Sequence, residues 1–276
     1  EILTELRDFS YRTIVIDDTM RADHAALIQD KLLNSNRLFT ASTIGTLRMQ
    51  KDATEQDILR INAHQADIAM RKAWDIIKPG LTEENIALAI QNSFSDQGAL
   101  PQFSIVASGS NSAFPHHQTG SRKLKEGDAI VIDLGGKFEG YASDITRMSS
   151  IGAPPKDYAL IHQIVEDAVC AAMAAARPGQ IAKNVDRAAR EVIEKAGFGK
   201  YFVHRTGHGL GSEIHEPPFI TSTSETILEP GMVFSIEPGI YMPDKFGVRL
   251  EEIIILTDSG PEILSQISRE LKVINH

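Results

Sequence analysis

Apolar positions recur at helical spacing between Glu55 and Lys78, at Ile58, Ile61, Ile68, Trp74 and Ile77. Pro79-Gly80 ends this predicted helix. Thr82 is placed to cap a second one, which runs to about Gln97 and stops at Gly98. The pattern then shortens to strand-like runs at Phe103 to Val106, Ala129 to Ile132 and Tyr141 to Met148, punctuated by Gly135-Gly136 and Glu139-Gly140. Helical spacing returns from Asp157 to Arg177, closed by Pro178-Gly179, and again from about Ala182 to Ala196, closed by Gly197. Strand runs resume at Val203 to Thr206, Val233 to Ile236 and Val248 to Leu256. Ahead of all these, Thr13 to Ile16 and Ala22 to Leu33 read as a strand and a helix, the tail of an α/β unit. The predicted division is therefore residues 1–45, a remnant of an N-terminal α/β domain with its linker, and residues 46–276, an α+β catalytic domain.

This order of elements occurs twice. Lys78-Pro79-Gly80 and Arg177-Pro178-Gly179 lie 99 positions apart, as do Gly98 and Gly197, and His116 and His215. Leu124-Lys125-Glu126-Gly127-Asp128 resembles Leu228-Glu229-Pro230-Gly231-Met232 at an offset of 104, which lays Asp133 on Glu237. Asp144 falls near Glu251 at an offset of 107. The chain thus reads as two related half-domains, each helix–helix–strands, packed about a pseudo-twofold axis where a single site collects acids from both.

Composition narrows the setting. The net charge of −9 is dispersed, with no Lys/Arg block, so neither nucleic acid nor an anionic membrane is expected as the main partner. No apolar run reaches membrane-spanning length and no signal peptide is visible, so a cytoplasmic location is expected. The single cysteine, Cys170, rules out an internal disulfide and reads as a small core residue in its Ala-rich stretch.

The candidate chemistry lies in five short motifs. Asp133 follows Ile130-Val131-Ile132 and reads as an acid at the end of a buried strand, a place where a carboxylate needs a counter-charge or a metal. Asp144, eleven residues on across a glycine-containing turn, suits an adjacent antiparallel strand facing the same pocket. Taken singly, each aspartate reads better as a turn or capping residue, and the apolar run into Asp133 weakens that reading. His208 sits among Gly207, Gly209 and Gly211, whose lack of side chains allows close backbone approach to a bound group. A phosphate cradle is disfavoured there, because no Lys-Ser/Thr follows. Glu237 again ends an apolar run, and Glu251-Glu252 precede another, with one of the pair expected to face solvent by strand alternation. Four carboxylates and an imidazole are a ligand set for two hard or borderline divalent metals. Five of the nine histidines, His116, His117, His204, His208 and His215, lie in or beside these motifs.

Pro115-His116-His117, Ser143-Asp144-Ile145-Thr146-Arg147, His204-Arg205-Thr206-Gly207-His208-Gly209-Leu210-Gly211, His215-Glu216 and Glu237-Pro238-Gly239-Ile240-Tyr241 closely resemble the pita-bread metallopeptidases, above all the prolidase and aminopeptidase P branch. The resemblance covers about residues 45–276. It implies the pita-bread (creatinase/aminopeptidase) fold and cleavage of Xaa-Pro bonds by a hydroxide bridging two metal ions. It implies that Asp133 binds one ion, His208 and Glu237 the other, and that Asp144 and Glu251 bridge them. Glu237 would also handle the proton of the attacking water, His215 would hydrogen-bond the developing oxyanion, and His116 would hold the substrate from the opposite side. His204, Arg249 and Tyr241 would line the substrate pocket, with Arg249 alternatively orienting Asp144 or Glu251. Manganese is the expected metal, with cobalt and zinc as alternatives, and the expected partners are a peptide with proline second and a second copy of the chain in a homodimer. Xaa-Pro dipeptidase is the leading activity. Aminopeptidase P acting on longer peptides, and a non-catalytic binding protein on the same fold, are the alternatives. Where the branch commonly carries another acid before proline, this chain has Pro217-Pro218, which leaves His215 in place and reshapes the pocket wall.

Overall fold

In this computed structural model, residues 12–275 are described. The chain divides into two compact units, Glu1–Gln50 and Lys51–His276. In the first, β1 (Thr13–Ile16) and β2 (Asn36–Phe39) pair in parallel, with α1 (Ala22–Lys31) between them and a short α2 (Ile44–Met49) after.

The second unit opens with α3 (Ala53–Ile76). Asp52 caps it in a reciprocal box: its carboxylate accepts from the Glu55 amide at 2.9 Å, and Glu55 accepts from the Asp52 amide at 2.7 Å. The buried face of α3 is Leu59, Asn62, Ala66, Met70 and Ala73, whereas Ile61 is exposed. Ile77 is buried as its spacing predicts, and Asn62 on the buried face reaches the carbonyls of Phe138 and Tyr141, a polar anchor that apolar spacing does not reveal. Thr82 caps α4 (Glu83–Asp96), as its position predicts. Strands β3 (Leu100–Ser108), β4 (Ala129–Phe138), β5 (Tyr141–Ala142) and β6 (Ile145–Ile151) follow.

The second half repeats this with α5 (Tyr158–Ala175) and α6 (Ala182–Lys195), then β7 (Gly207–Gly209), β8 (Glu216–Ile220), β9 (Val233–Ile236), β10 (Gly239–Tyr241), β11 (Gly247–Arg249), β12 (Glu252–Thr257), β13 (Gly260–Ile263) and β14 (Lys272–Ile274). One sheet has the order β14-β6-β4-β3, the other β13-β12-β9-β7-β8, and β10 and β11 form a separate ribbon. This is the pita-bread fold, with mixed helices and sheets in two halves. Met70, Ile86, Ile90 and Phe94 pack on Val106, Ile130 and Ile132 in the first half, while Leu59 joins Leu210, Val233, Ile253 and Ile255 in the second.

The internal repeat is physical. Gly80 and Gly179 both take positive φ (91° and 81°), and both donate across to a leucine carbonyl, Leu124 at 2.9 Å and Leu228 at 2.8 Å. Gly127 and Gly231 (φ 82° and 86°) likewise each donate to the strand that closes their half, at Ile151 and Leu256, both at 2.8 Å.

Several local expectations fail. Val203 to Thr206 is not a strand: the Arg190 guanidinium takes up the Phe202 and His204 carbonyls, and pairing begins only at Gly207. The run Val248 to Leu256 is broken at Leu250-Glu251, between β11 and β12. Cys170 is exposed on α5, with its thiol directed at Glu166, because Ile161, Val165, Ala168, Val169 and Ala172 supply that helix's packing face and the cysteine falls outside it.

Candidate metal centre

Asp133 lies in the middle of β4, not at its end, because Leu134-Gly135-Gly136 continue the ladder. It sits opposite Ile105 on one side and Thr146 on the other. Asp144 occupies the gap between β5 and β6, Glu251 the gap between β11 and β12, and Glu237 follows β9 directly. His208 is the central residue of β7. Its flanking glycines serve the sheet rather than a ligand: a Cβ at Gly207 would meet the Ser235 carbonyl, and one at Gly209 the Pro217 carbonyl. The backbone hydrogen bond from the Glu251 amide to the Thr146 carbonyl, 3.4 Å, ties the gap carrying Glu251 to β6 of the other half.

These placements bring Asp144, His208 and Glu251 together, with one ligand atom from each within 4.8 Å of the others and all three residues buried. His208 Nε2 stands 3.6 Å from Asp144 Oδ2 and 3.4 Å from Glu237 Oε1. His208 Nδ1 is 3.1 Å from the Gly209 carbonyl. A carbonyl only accepts, so Nδ1 carries the hydrogen and Nε2 presents its lone pair to the acids. Asp133 Oδ1 and Glu251 Oε1 are buried without a hydrogen-bond partner among the described residues.

The electrostatics of this cluster ask for positive charge. Burial, then the neighbouring Glu251, Asp133 and Glu237, push the Asp144 carboxyl well above its usual range. Burial first, then Glu237 and Asp133, do the same to Glu251. Burial pushes Glu237 up to about 7, with Arg249 opposing. Burial and then His215 lower His208 to about 3, so its ring is neutral. Neutral imidazole beside crowded carboxylates, one of them with an orphaned oxygen on Glu251, is the donor set of a hard or borderline divalent cation.

A directional hydrogen-bond chain runs from this cluster to the pocket rim. His204 Nδ1 donates to the Arg205 carbonyl at 2.7 Å, so its Nε2 accepts from the Tyr241 hydroxyl at 2.8 Å. That hydroxyl accepts from Arg249 NH1 at 2.8 Å. Arg249 NH2 donates to Asp133 at 2.7 Å and Nε to the Thr146 hydroxyl at 3.1 Å, which donates onward to Glu251 at 2.7 Å. Arg249 is therefore tied to Asp133 directly and to Glu251 only through Thr146, with no direct bond to Asp144. The His215 ring stands edge-on to His208, with centroids 4.3 Å apart. His116 lies on the exposed loop after β3. It lies close enough to His204 and His215 to add to the lowering of both, after Arg249 on the former and Arg205 on the latter. His117 leaves the cluster and binds Glu83 at 2.8 Å.

Neither Glu251 nor Glu252 faces solvent. Glu252 is buried against Arg147, whose guanidinium also bonds the Glu251 carbonyl, the Ser265 hydroxyl and the Ile267 carbonyl. Thr146 and Arg147 were visible inside the Ser-Asp-Ile-Thr-Arg motif but carried no assigned role. Lys51, buried with Glu216 at 2.7 Å just beyond His215, gave no signal at all. A cleft of about 250 Å³ opens beside His215, lined by Gln102, Lys137, Ser212 and Glu213. A larger one of about 920 Å³, bounded by His162, Glu166 and Arg269, holds none of the predicted site residues, and the charges of Glu166 and Arg269 are mutually paired.

Fold and cluster together define a metal-dependent hydrolase. The sequence pattern of metallopeptidase family M24 matches residues 57–258, and the chain belongs to that family. It is 41% identical over 261 residues to the probable dipeptidase PepE of Mycobacterium tuberculosis, covering 94% of this chain and 69% of that protein. It is also 41% identical over 230 residues to an Xaa-Pro dipeptidase of Pyrococcus furiosus, covering 83% of this chain and 66% of that one. The crystal structure of a recombinant prolidase from Thermococcus sibiricus superposes with a TM-score of 0.93 at 36% identity, covering 99% of this chain and 76% of that one. No described helix is long and apolar enough to cross a membrane.

Proposed function

We propose that this metallopeptidase hydrolyses the Xaa-Pro bond of dipeptides, with two divalent ions, manganese in the first instance, held by Asp133, Asp144, His208, Glu237 and Glu251. The observation that carries the reading is the buried cluster of Asp144, His208 and Glu251, whose acids stay well above their usual range even with Arg249 opposing the shift. The names borne by the similar proteins supply the substrate class. Bound ions of this kind acidify water to a pKa of roughly 7 and polarise a carbonyl.

The chain's own groups do the rest. Glu237, beside His208, takes the proton of the attacking water and returns it to the leaving nitrogen. His215 donates to the carbonyl oxygen as charge develops on it, a contact worth roughly 3–4 kcal/mol when well placed. His116 holds the substrate from the facing loop. Tyr241 and His204 line the pocket, and Arg249 holds Asp133 in position through the 2.7 Å ion pair. In this reading the enzyme works as a cytoplasmic homodimer.

The test is hydrolysis of Xaa-Pro dipeptides against Xaa-Pro-Yaa tripeptides with added manganese. Cleavage of tripeptides alone would sink the dipeptidase reading in favour of an aminopeptidase. Asp133→Ala and Glu237→Ala are each expected to abolish turnover, and retained turnover would overturn their place in the site.

A further inference from the structure

Glu83 is the first residue of α4 and is fully buried, yet no part of the mechanism above uses it. Its carboxylate is a hub. One oxygen accepts from the Ser108 amide at 2.8 Å, the Ser108 hydroxyl at 2.7 Å and the Asn111 side chain at 3.0 Å. The other meets His117 Nε2 at 2.8 Å and the Gly120 amide at 3.3 Å. Burial opposes its charge, but the hydrogen bonds, led by Ser108 and His117, hold the carboxyl below its usual range. A buried carboxylate with this many donors is a rigid node.

Two of the five contacts come from Ser108, the last residue of β3, and three from Asn111, His117 and Gly120 of the connection that leads to β4. His116 lies between them. The same loop is held to the other half at two more points, where Arg249 NH1 donates to the Pro115 carbonyl at 3.3 Å and the Gly247 amide to the Ser112 hydroxyl at 2.9 Å. A connection of this length, regular only in the 3-10 turn Gly109–Ala113, would otherwise sample many conformations. The second half uses a similar device one turn further along its helix. Asp186 of α6 is fully buried, accepts from the Thr206 amide and hydroxyl at 3.1 and 2.8 Å, and pairs with Arg190, which holds the His204 carbonyl.

We propose that Glu83 is a positioning residue that fixes the loop carrying His116, so that the imidazole stands at substrate distance from the metal cluster. This rests on the proposed peptidase reading for its activity readout, though not for its structural one. A histidine displaced by about 1 Å loses on the order of 100-fold in rate.

The experiment is a double-mutant cycle on the metal-loaded full chain, using Glu83→Gln, His116→Ala and the combination, with kcat and KM for an Xaa-Pro dipeptide, metal content and Tm measured for each. Glu83→Gln is expected to lower kcat/KM by roughly 10–100-fold with metal content unchanged, and to change it less than about twofold in the His116→Ala background. Equal losses in both backgrounds, a silent Glu83→Gln, or a silent His116→Ala in an active enzyme would each overturn the proposal. If the parent chain hydrolyses no Xaa-Pro peptide, the functional reading fails instead. The positioning claim then stands or falls on the imidazole 15N–1H spectrum: Glu83→Gln is expected to shift both His116 and His117, and an unmoved His116 signal would refute it.

Discussion

Replacing Thr146 by valine tests whether the acids from the two halves form one centre. Thr146 lies in β6, fully buried and paired in register with Asp133. Its hydroxyl donates to Glu251 at 2.7 Å and accepts from Arg249 at 3.1 Å, so one atom joins an acid of the second half to the arginine that holds the acid of the first. Valine has nearly the same shape and favours strands, so β6 should persist. What is lost is a hydrogen bond to a charged group, about 1.5–3 kcal/mol. At about 1.36 kcal/mol per decade, that weakens metal binding roughly 10–100-fold. The same range is typical when a hydrogen-bond partner of a metal-ligating carboxylate is removed. The assay is calorimetric titration of manganese into the chelator-stripped protein, with Tm as a control for folding. A dissociation constant within about twofold of the parent's would refute the idea that Thr146 orients Glu251 for a cation.

Other outcomes follow from the same geometry. Chelation should lower Tm, since a ligand at a hundred times its dissociation constant adds about 2.7 kcal/mol; superimposable melting curves with and without chelator would argue against a bound ion. Arg147→Met leaves Glu252 buried with only Arg269 beside it and should cost about 3–5 kcal/mol in urea unfolding, whereas a loss below about 1 kcal/mol would contradict its place as a buried partner. His204 is lowered from 6.5 to about 3, by burial first and then Arg249, so between those values the unfolded chain binds more protons than the folded one. Its contribution is therefore complete above pH 6.5 and is lost as pH falls toward 3. His204→Gln should flatten the acid limb of the stability curve, and parallel curves for parent and variant would rule this out.

Much of the candidate site is legible in the chain because its acids and imidazole sit in motifs with local causes. Glu237 ends an apolar strand, Asp144 precedes one, and the two half-domains announce themselves through Gly80 and Gly179, which only a left-handed turn explains. The anchor of α3 is not legible, because apolar spacing does not reveal that Asn62 reaches the carbonyls of Phe138 and Tyr141. Nor is the end of β4: the glycines after Asp133 look like a turn but continue the ladder, where a Cβ at Gly136 would strike the Phe94 ring.

By itself, then, the sequence determined the repeat, the helices with the Thr82 cap, and which acids and imidazole are candidates, since each rests on residues close together in the chain. Tertiary structure alone decided that Asp144, His208 and Glu251 stand within 4.8 Å, that Thr146 and Arg249 bind the halves together, and that Glu83 and Lys51 are buried partners rather than surface charges. Those relations join residues up to 165 positions apart, as Lys51 and Glu216 are. No local pattern encodes such a pair. It arises only when the two halves close and each buried charge must find its counterpart inside.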